Sequence, residues 1–214
     1  MLSKIFLLHH RDYSFQKRFD YISKRLTEEN LNFEIIDLYR PEDIDYENLV
    51  SNHLQYTSVY VEQIRGHSYN NFSKKISPQS LSLVLKHIHC WKDQLENNHP
   101  YCLILEDDCE IPNYFEKTLN SIMFEVIKEK CDLVMIGSAF DFISPNSLEE
   151  NKNIYYHPNQ KTRCTHAYII SNHCASKMVN GFSNINLPID FKMNEVIQLE
   201  SIKVYWYEPG LKQI

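Results

Sequence analysis

Three consecutive carboxylates, Glu106, Asp107 and Asp108, close the apolar run Leu103-Ile104-Leu105. The run reads as a buried strand, and in open α/β sheets ligands bind outside the carboxyl ends of strands. Adjacent negative charges repel one another, and taking them out of water is costly without a compensating cation. Hard oxygen donors suit Mg²⁺ or Mn²⁺, usually with substrate phosphates completing the shell. A solvated acidic turn after a strand would look the same, and the cluster alone does not decide between the two. On a pleated strand alternate side chains face opposite sides. Glu106 and Asp108 are therefore expected to share a side as metal ligands, Asp108 foremost, with Asp107 turned elsewhere.

Other metal-like groupings are weaker. His87, His89 and Cys90 are spaced so that they do not all share one helical face. The six cysteines, at 90, 102, 109, 131, 164 and 174, are scattered singly, mostly beside apolar residues, without zinc-finger spacing. That usage points to a reducing compartment, hence the cytoplasm or the cytoplasmic face of a membrane contacted peripherally. The net charge of −6 argues against nucleic-acid binding, which needs Lys and Arg to neutralise phosphates. Hydrophobic content of 43% and charged content of 23% are those of a globular protein. No stretch approaches the length of a membrane span.

The elements that must carry these residues alternate. Lys4 to Leu8 reads as a strand, and Phe15, Phe19, Ile22 and Leu26 mark an amphipathic helix. Phe33 to Asp37 reads as a second strand. Residues 40–80 form an irregular excursion, a lid or binding loop with a short helix at 43–50. Leu81, Val84, Leu85, Ile88, Trp91 and Leu95 line one helical face, and strand 101–105 follows. Pro112 is expected in the first turn of a helix whose buried stripe is Phe115, Leu119, Ile122 and Val126. Leu133 to Ile136 is a strand closed by Gly137, and 141–153 is a polar loop. Strand 165–170 precedes a helix over 172–180, capped by Ser171 and ended by Gly181. A short helix over 191–199 and a strand over 203–207 complete the chain. Length and alternation predict one α/β domain over 1–214 with a mostly parallel sheet flanked by helices.

Several segments, in order, resemble glycosyltransferase family 25, which includes bacterial lipopolysaccharide and collagen galactosyltransferases. They are the opening Ile5-Phe6-Leu7-Leu8-His9-His10-Arg11 with Arg18 beyond, then Lys86-His87 with Trp91-Lys92 on one helix, then Ile104 to Asp108. Thr165-His166-Ala167-Tyr168-Ile169-Ile170 follows with Ala175, then Pro188-Ile189-Asp190 with Met193, and finally Val204 to Pro209. Two features depart from the family pattern. Lys86 stands where the family has a serine, and the glycine-containing turn before that helix is missing, Gly66 lying too far upstream.

The resemblance implies a GT-A-like nucleotide-binding fold and an inverting transfer of a hexose, galactose or glucose, from a UDP-sugar to a glycan, lipid-linked or protein-linked acceptor. A cation held by Glu106 and Asp108 would compensate the leaving diphosphate. Asp107 would meet the donor ribose or sugar. Asp190 is implied as the base that takes the acceptor proton; taken without the resemblance, it is better suited to capping a helix beginning at Phe191. Arg11 is a candidate for the donor diphosphate or a solvated surface arginine. His87 would bind substrate, support the acidic loop, or pack as a core histidine. His166 would approach the site from its strand as a further ligand or as an orienting group.

Two other readings use the same cluster. A metal-dependent nucleotidyltransferase or phosphohydrolase would want further acidic ligands or a basic phosphate clamp. A non-catalytic sugar- or nucleotide-binding relative is the other, because Lys86 near the cluster could replace a cation electrostatically.

Overall fold

The computed structural model describes residues 2–12, 14–45, 76–138, 152–183, 185 and 187–214. The described chain runs β1 (Lys4–Leu8), α1 (Gln16–Glu28), β2 (Glu34–Ile36), a 3-10 turn (Pro41–Asp43), α2 (Pro78–Glu96), β3 (Tyr101–Glu106) and α3 (Phe115–Glu129). It continues through β4 (Leu133–Gly137), β5 (Ile154–Tyr156), β6 (Ala167–Ser171), α4 (Asn172–Gly181), α5 (Ile189–Leu199) and β7 (Val204–Leu211). Most of the expected excursion over 40–80, including most of its short helix, and most of the loop over 141–153 lie outside the described residues.

The strands form one sheet in the order β2-β1-β3-β6-β4-β7-β5. β2, β1, β3, β4 and β7 run one way; β6 and β5 run against them. The predicted α/β sheet is therefore mostly parallel, but an antiparallel strand stands in its middle. β5, just past the expected polar loop and not among the expected strands, pairs along the β7 edge.

Strand alternation divides the core into two layers. Phe6, Leu8, Cys102, Ile104, Tyr168 and Ile170 face a layer containing Val84 and Trp91 of α2, Met178 of α4 and Met193 of α5. Ile5, Leu7, Leu103, Leu105 and Ile169 face the other, with Ile22 and Leu26 of α1 and Phe115, Leu119, Ile122 and Val126 of α3. The stripe expected on α3 is buried throughout; on α1 only Ile22 and Leu26 are. On α2, Leu81, Val84 and Trp91 are buried with Lys86, His87, Cys90 and Gln94, while Leu85, Ile88 and Leu95 are half-buried.

Helix starts follow local chemistry. Ser77 accepts the Ser80 N–H at 3.1 Å, with Pro78 in the first turn of α2. Ser171 likewise accepts the Cys174 N–H at 3.1 Å to open α4. Pro112 does not open α3. That helix begins three residues later, because the Glu29 carboxylate, at the end of α1, accepts the N–H groups of Tyr114 and Glu116 at 2.8 and 3.1 Å. The cap comes from across the fold, not from the local sequence. No helix among the described residues is long and apolar enough to cross a membrane.

Candidate active site

Parallel pairing of β1 with β3 sets Leu8 beside Glu106, so the residues after each strand emerge together. His9 consequently meets Asp107, with Nδ1 2.7 Å from Oδ2. Arg18, from the start of α1, donates to the other oxygen of that carboxylate at 2.8 Å and lies 3.9 Å from Asp108 Oδ2. Phe19 stacks on the His9 ring at 4.2 Å, and the Arg18 guanidinium lies 4.5 Å over Phe15. Asp107 therefore has its counter-charge from α1 and is held in place by two partners.

Antiparallel pairing of β6 with β3 brings the amino end of β6 to the same place. The Glu106 N–H donates to the His166 carbonyl at 2.8 Å, and the Thr165 hydroxyl donates to Glu106 Oε1 at 2.8 Å. His87 approaches from α2, with Nε2 3.4 Å from the same oxygen. Its Nδ1 is 2.7 Å from the Tyr168 hydroxyl, which also accepts the Trp91 indole N–H at 3.1 Å. Burial pushes the Tyr168 phenol well above its ordinary range, so the hydroxyl keeps its proton. Burial alone would raise Glu106; the His87 imidazole beside it, with Thr165 and His166, outweighs that and holds the carboxyl below its ordinary value.

Asp108 is the contrasting case. Burial and the neighbouring Glu106 charge raise its pKa, against the opposing effects of Gln213 and Arg18. Gln213 donates to Oδ2 at 2.7 Å, while Oδ1 is buried with no partner among the described residues. The tail reaches this turn because β7 shifts register between Met135 and Gly137 of β4. The Ile214 N–H then donates to the Asp108 carbonyl at 2.7 Å. A buried carboxylate oxygen without a partner beside a second carboxylate suits a hard cation, and such ions often take one or two protein carboxylates plus substrate phosphates. No three metal-ligating His, Cys, Asp or Glu side chains gather among the described residues. Glu106 and Asp108 are the carboxylates that could serve as such ligands.

Two clefts flank this strand end. Leu8, His9, His10, Arg18, Lys86 and the three acids line one. Thr165, His166, Asp190 and Gln213 line the other. Glu106 belongs to both. Asp190 sits in the first turn of α5, whose N-cap residue is Pro188, so the expected cap of a helix at Phe191 is not its position. The His166 ring lies against Gly137, where a Cβ would run into it, and Nε2 faces the Leu211 carbonyl at 3.1 Å. His87 is fully buried and reaches the site through Glu106. Arg11 lines neither cleft; its side chain is 70% exposed and pairs with Asp37.

The three acids do not divide as a pleat would divide them. β3 ends at Glu106, and Asp107 and Asp108 lie in the turn beyond, so each carboxylate has its own set of partners. Gln213 carries no sequence signal, and His9, Thr165 and Tyr168 lie in family-like segments without a role of their own in the sequence reading. His9, the first residue past β1, could have been found by placing it at the same sheet end as the acids.

No curated protein matches the chain. Among solved structures, UDP-glucose pyrophosphorylase from Acinetobacter baumanii is 11% identical, covers 100% of this chain and 86% of its own, and superposes with a TM-score of 0.50. A glycosyltransferase involved in the glycosylation of the major capsid of PBCV-1 is 7% identical, with 97% and 82% covered and a TM-score of 0.49. A197 from STIV is 11% identical, with 96% and 81% covered and a TM-score of 0.49. At such identities the pyrophosphorylase likeness is one of fold alone. The family model described as glycosyltransferase family 25 (LPS biosynthesis protein) matches residues 14–193, a span that takes in Arg18, α2, the acidic strand end and Asp190. The protein is a glycosyltransferase and belongs to family 25.

Proposed function

We propose that the protein is an inverting hexosyltransferase that moves galactose or glucose from a UDP-sugar to a hydroxyl of a glycan or glycosylated acceptor. One observation carries the reading: Glu106 lines both clefts, with Arg18 and Lys86 on one side and Asp190 on the other. The side with Arg18 and Lys86 suits the donor diphosphate, with a cation at the acids, and the Asp190 side suits the acceptor.

The acceptor oxygen attacks the anomeric carbon, and its proton passes to the Asp190 carboxylate. The new carbon–oxygen bond forms as the bond from the anomeric carbon to the diphosphate oxygen breaks. The nucleoside diphosphate leaves with that electron pair, through an oxocarbenium-like centre. Glu106 and Asp108 would hold Mn²⁺ or Mg²⁺, whose contribution is to offset charge developing on the leaving group. Arg18 keeps Asp107 in place, and His87 and Thr165 keep the Glu106 carboxylate ionised and oriented.

The test is incubation with a panel of nucleotide sugars and candidate acceptors, with and without Mn²⁺. The expected result is release of UDP from one UDP-hexose and a product of inverted anomeric configuration. Release of nucleoside monophosphate would identify a nucleotidyltransferase or phosphohydrolase instead. Sugar-nucleotide binding without turnover would identify a non-catalytic relative.

A further inference from the structure

Lys86 is the feature the family pattern does not account for. It lies on α2, is only 3% exposed, and lines the cleft that holds Arg18 and the three acids. Among the described residues no carboxylate stands within ion-pairing distance of it. The neighbouring guanidinium of Arg18 is already engaged by Asp107. Burying an ammonium without a partner is costly, and burial does push its pKa down, with Asp107, Asp37 and Glu106 offsetting that in part. A second observation points the same way. His10 Nδ1 and Arg18 Nε, on residues lining this cleft, are buried without partners among the described residues. Nitrogens without partners and an ammonium with no carboxylate in contact, around one cavity, suit an anion.

We infer that Lys86 is the fixed counter-charge of a diphosphate site in the cleft between β1, β3 and α2, so that nucleoside diphosphates bind there without a divalent cation. The inference rests on the donor reading above and adds to it. A cation at Glu106 and Asp108 then strengthens a site that the protein's own charge already forms. The serine this lysine replaces would supply no charge, which makes the substitution a change in how the leaving group is stabilised.

Calorimetric titration of UDP and of inorganic pyrophosphate, in EDTA and in Mn²⁺, tests it on wild type, K86M and K86R. Wild type should bind both ligands in EDTA. K86M should lose at least about tenfold in affinity for each, the scale of removing one partner from a desolvated charge contact, and K86R should stay within a few-fold of wild type. K86M should also unfold at an equal or higher temperature, because it removes a buried unpaired charge. Equal affinity of K86M and wild type in EDTA would overturn the inference. So would wild-type UDP binding that vanishes in EDTA and returns with Mn²⁺, an outcome that needs no variant and leaves the glycosyltransferase reading intact. Pyrophosphate binding that depends on Lys86, with no added affinity for any nucleotide, would keep the anion site and remove the nucleotide-sugar reading.

Discussion

The Tyr168 hydroxyl lies 2.7 Å from His87 Nδ1 and decides which imidazole nitrogen faces Glu106. Trp91 donates to the same phenol oxygen at 3.1 Å, so one hydroxyl serves two buried ring nitrogens, and the remaining His87 nitrogen, Nε2, faces the carboxylate. Tyr168→Phe removes one hydroxyl and strands two buried nitrogens. Urea unfolding should show a loss of about 1–3 kcal/mol, the cost of unsatisfied buried polar groups. Unchanged stability would mean that water or a rotamer change replaces the hydroxyl.

Arg18 and Arg11 should separate cleanly. Arg18→Gln leaves Asp107 with His9 alone. Its side chain is 33% exposed, so solvent replaces part of the lost contact and the expected destabilisation is about 1–2 kcal/mol, together with weaker UDP binding. Arg11→Gln breaks only an exposed pair with Asp37 and should stay within about 0.5 kcal/mol with unchanged turnover. The reverse ranking would return Arg11 to the donor side.

Asp190→Asn should leave UDP affinity intact and slow transfer by roughly 10²-fold or more, the contribution of a general base. Steady-state rates and titration on the same preparation check both halves. Wild-type turnover would leave Asp190 as only a first-turn residue of α5.

Asp108→Ala should remove the Mn²⁺-dependent part of UDP affinity, because it deletes the carboxylate whose Oδ1 has no protein partner among the described residues. Titration with and without Mn²⁺ measures that difference directly. An unchanged metal response would take Asp108 out of the cation site.

His157 gives a pH dependence away from the clefts. Its ring stacks on Trp206 at 3.8 Å, and burial, with Arg163 and Lys161 nearby, holds it below its ordinary 6.5. The unfolded chain therefore takes up the proton first. This contribution is complete above about pH 6.5 and is lost as pH falls toward the folded-state value. Thermal unfolding of wild type against His157→Phe, which keeps an aromatic ring on Trp206, should show the wild type losing more stability on acidification. Parallel curves would assign the effect elsewhere.

Much of this arrangement is legible in the sequence where a local rule governs it. β1 and the buried stripe of α3 follow from apolar periodicity, and Ser171 from capping chemistry. The acidic strand end was visible because three carboxylates after an apolar run are uncommon. Its partners were not, because His9, Thr165 and Gln213 are brought in by strand pairing between segments far apart in the chain. The start of α3 depends on Glu29, and nothing near Pro112 encodes it. The direction of β6 is also hidden, since an apolar run pairs equally well either way until its neighbours are fixed.

That reversed strand brings two chain directions to one place. Segments leaving β1 and β3 and the wall formed by the chain entering β6 and by α5 meet at Glu106, which lines both clefts. Because Thr165, just ahead of β6, also holds the Glu106 carboxylate, a change in that short stretch is felt on both sides of the strand end.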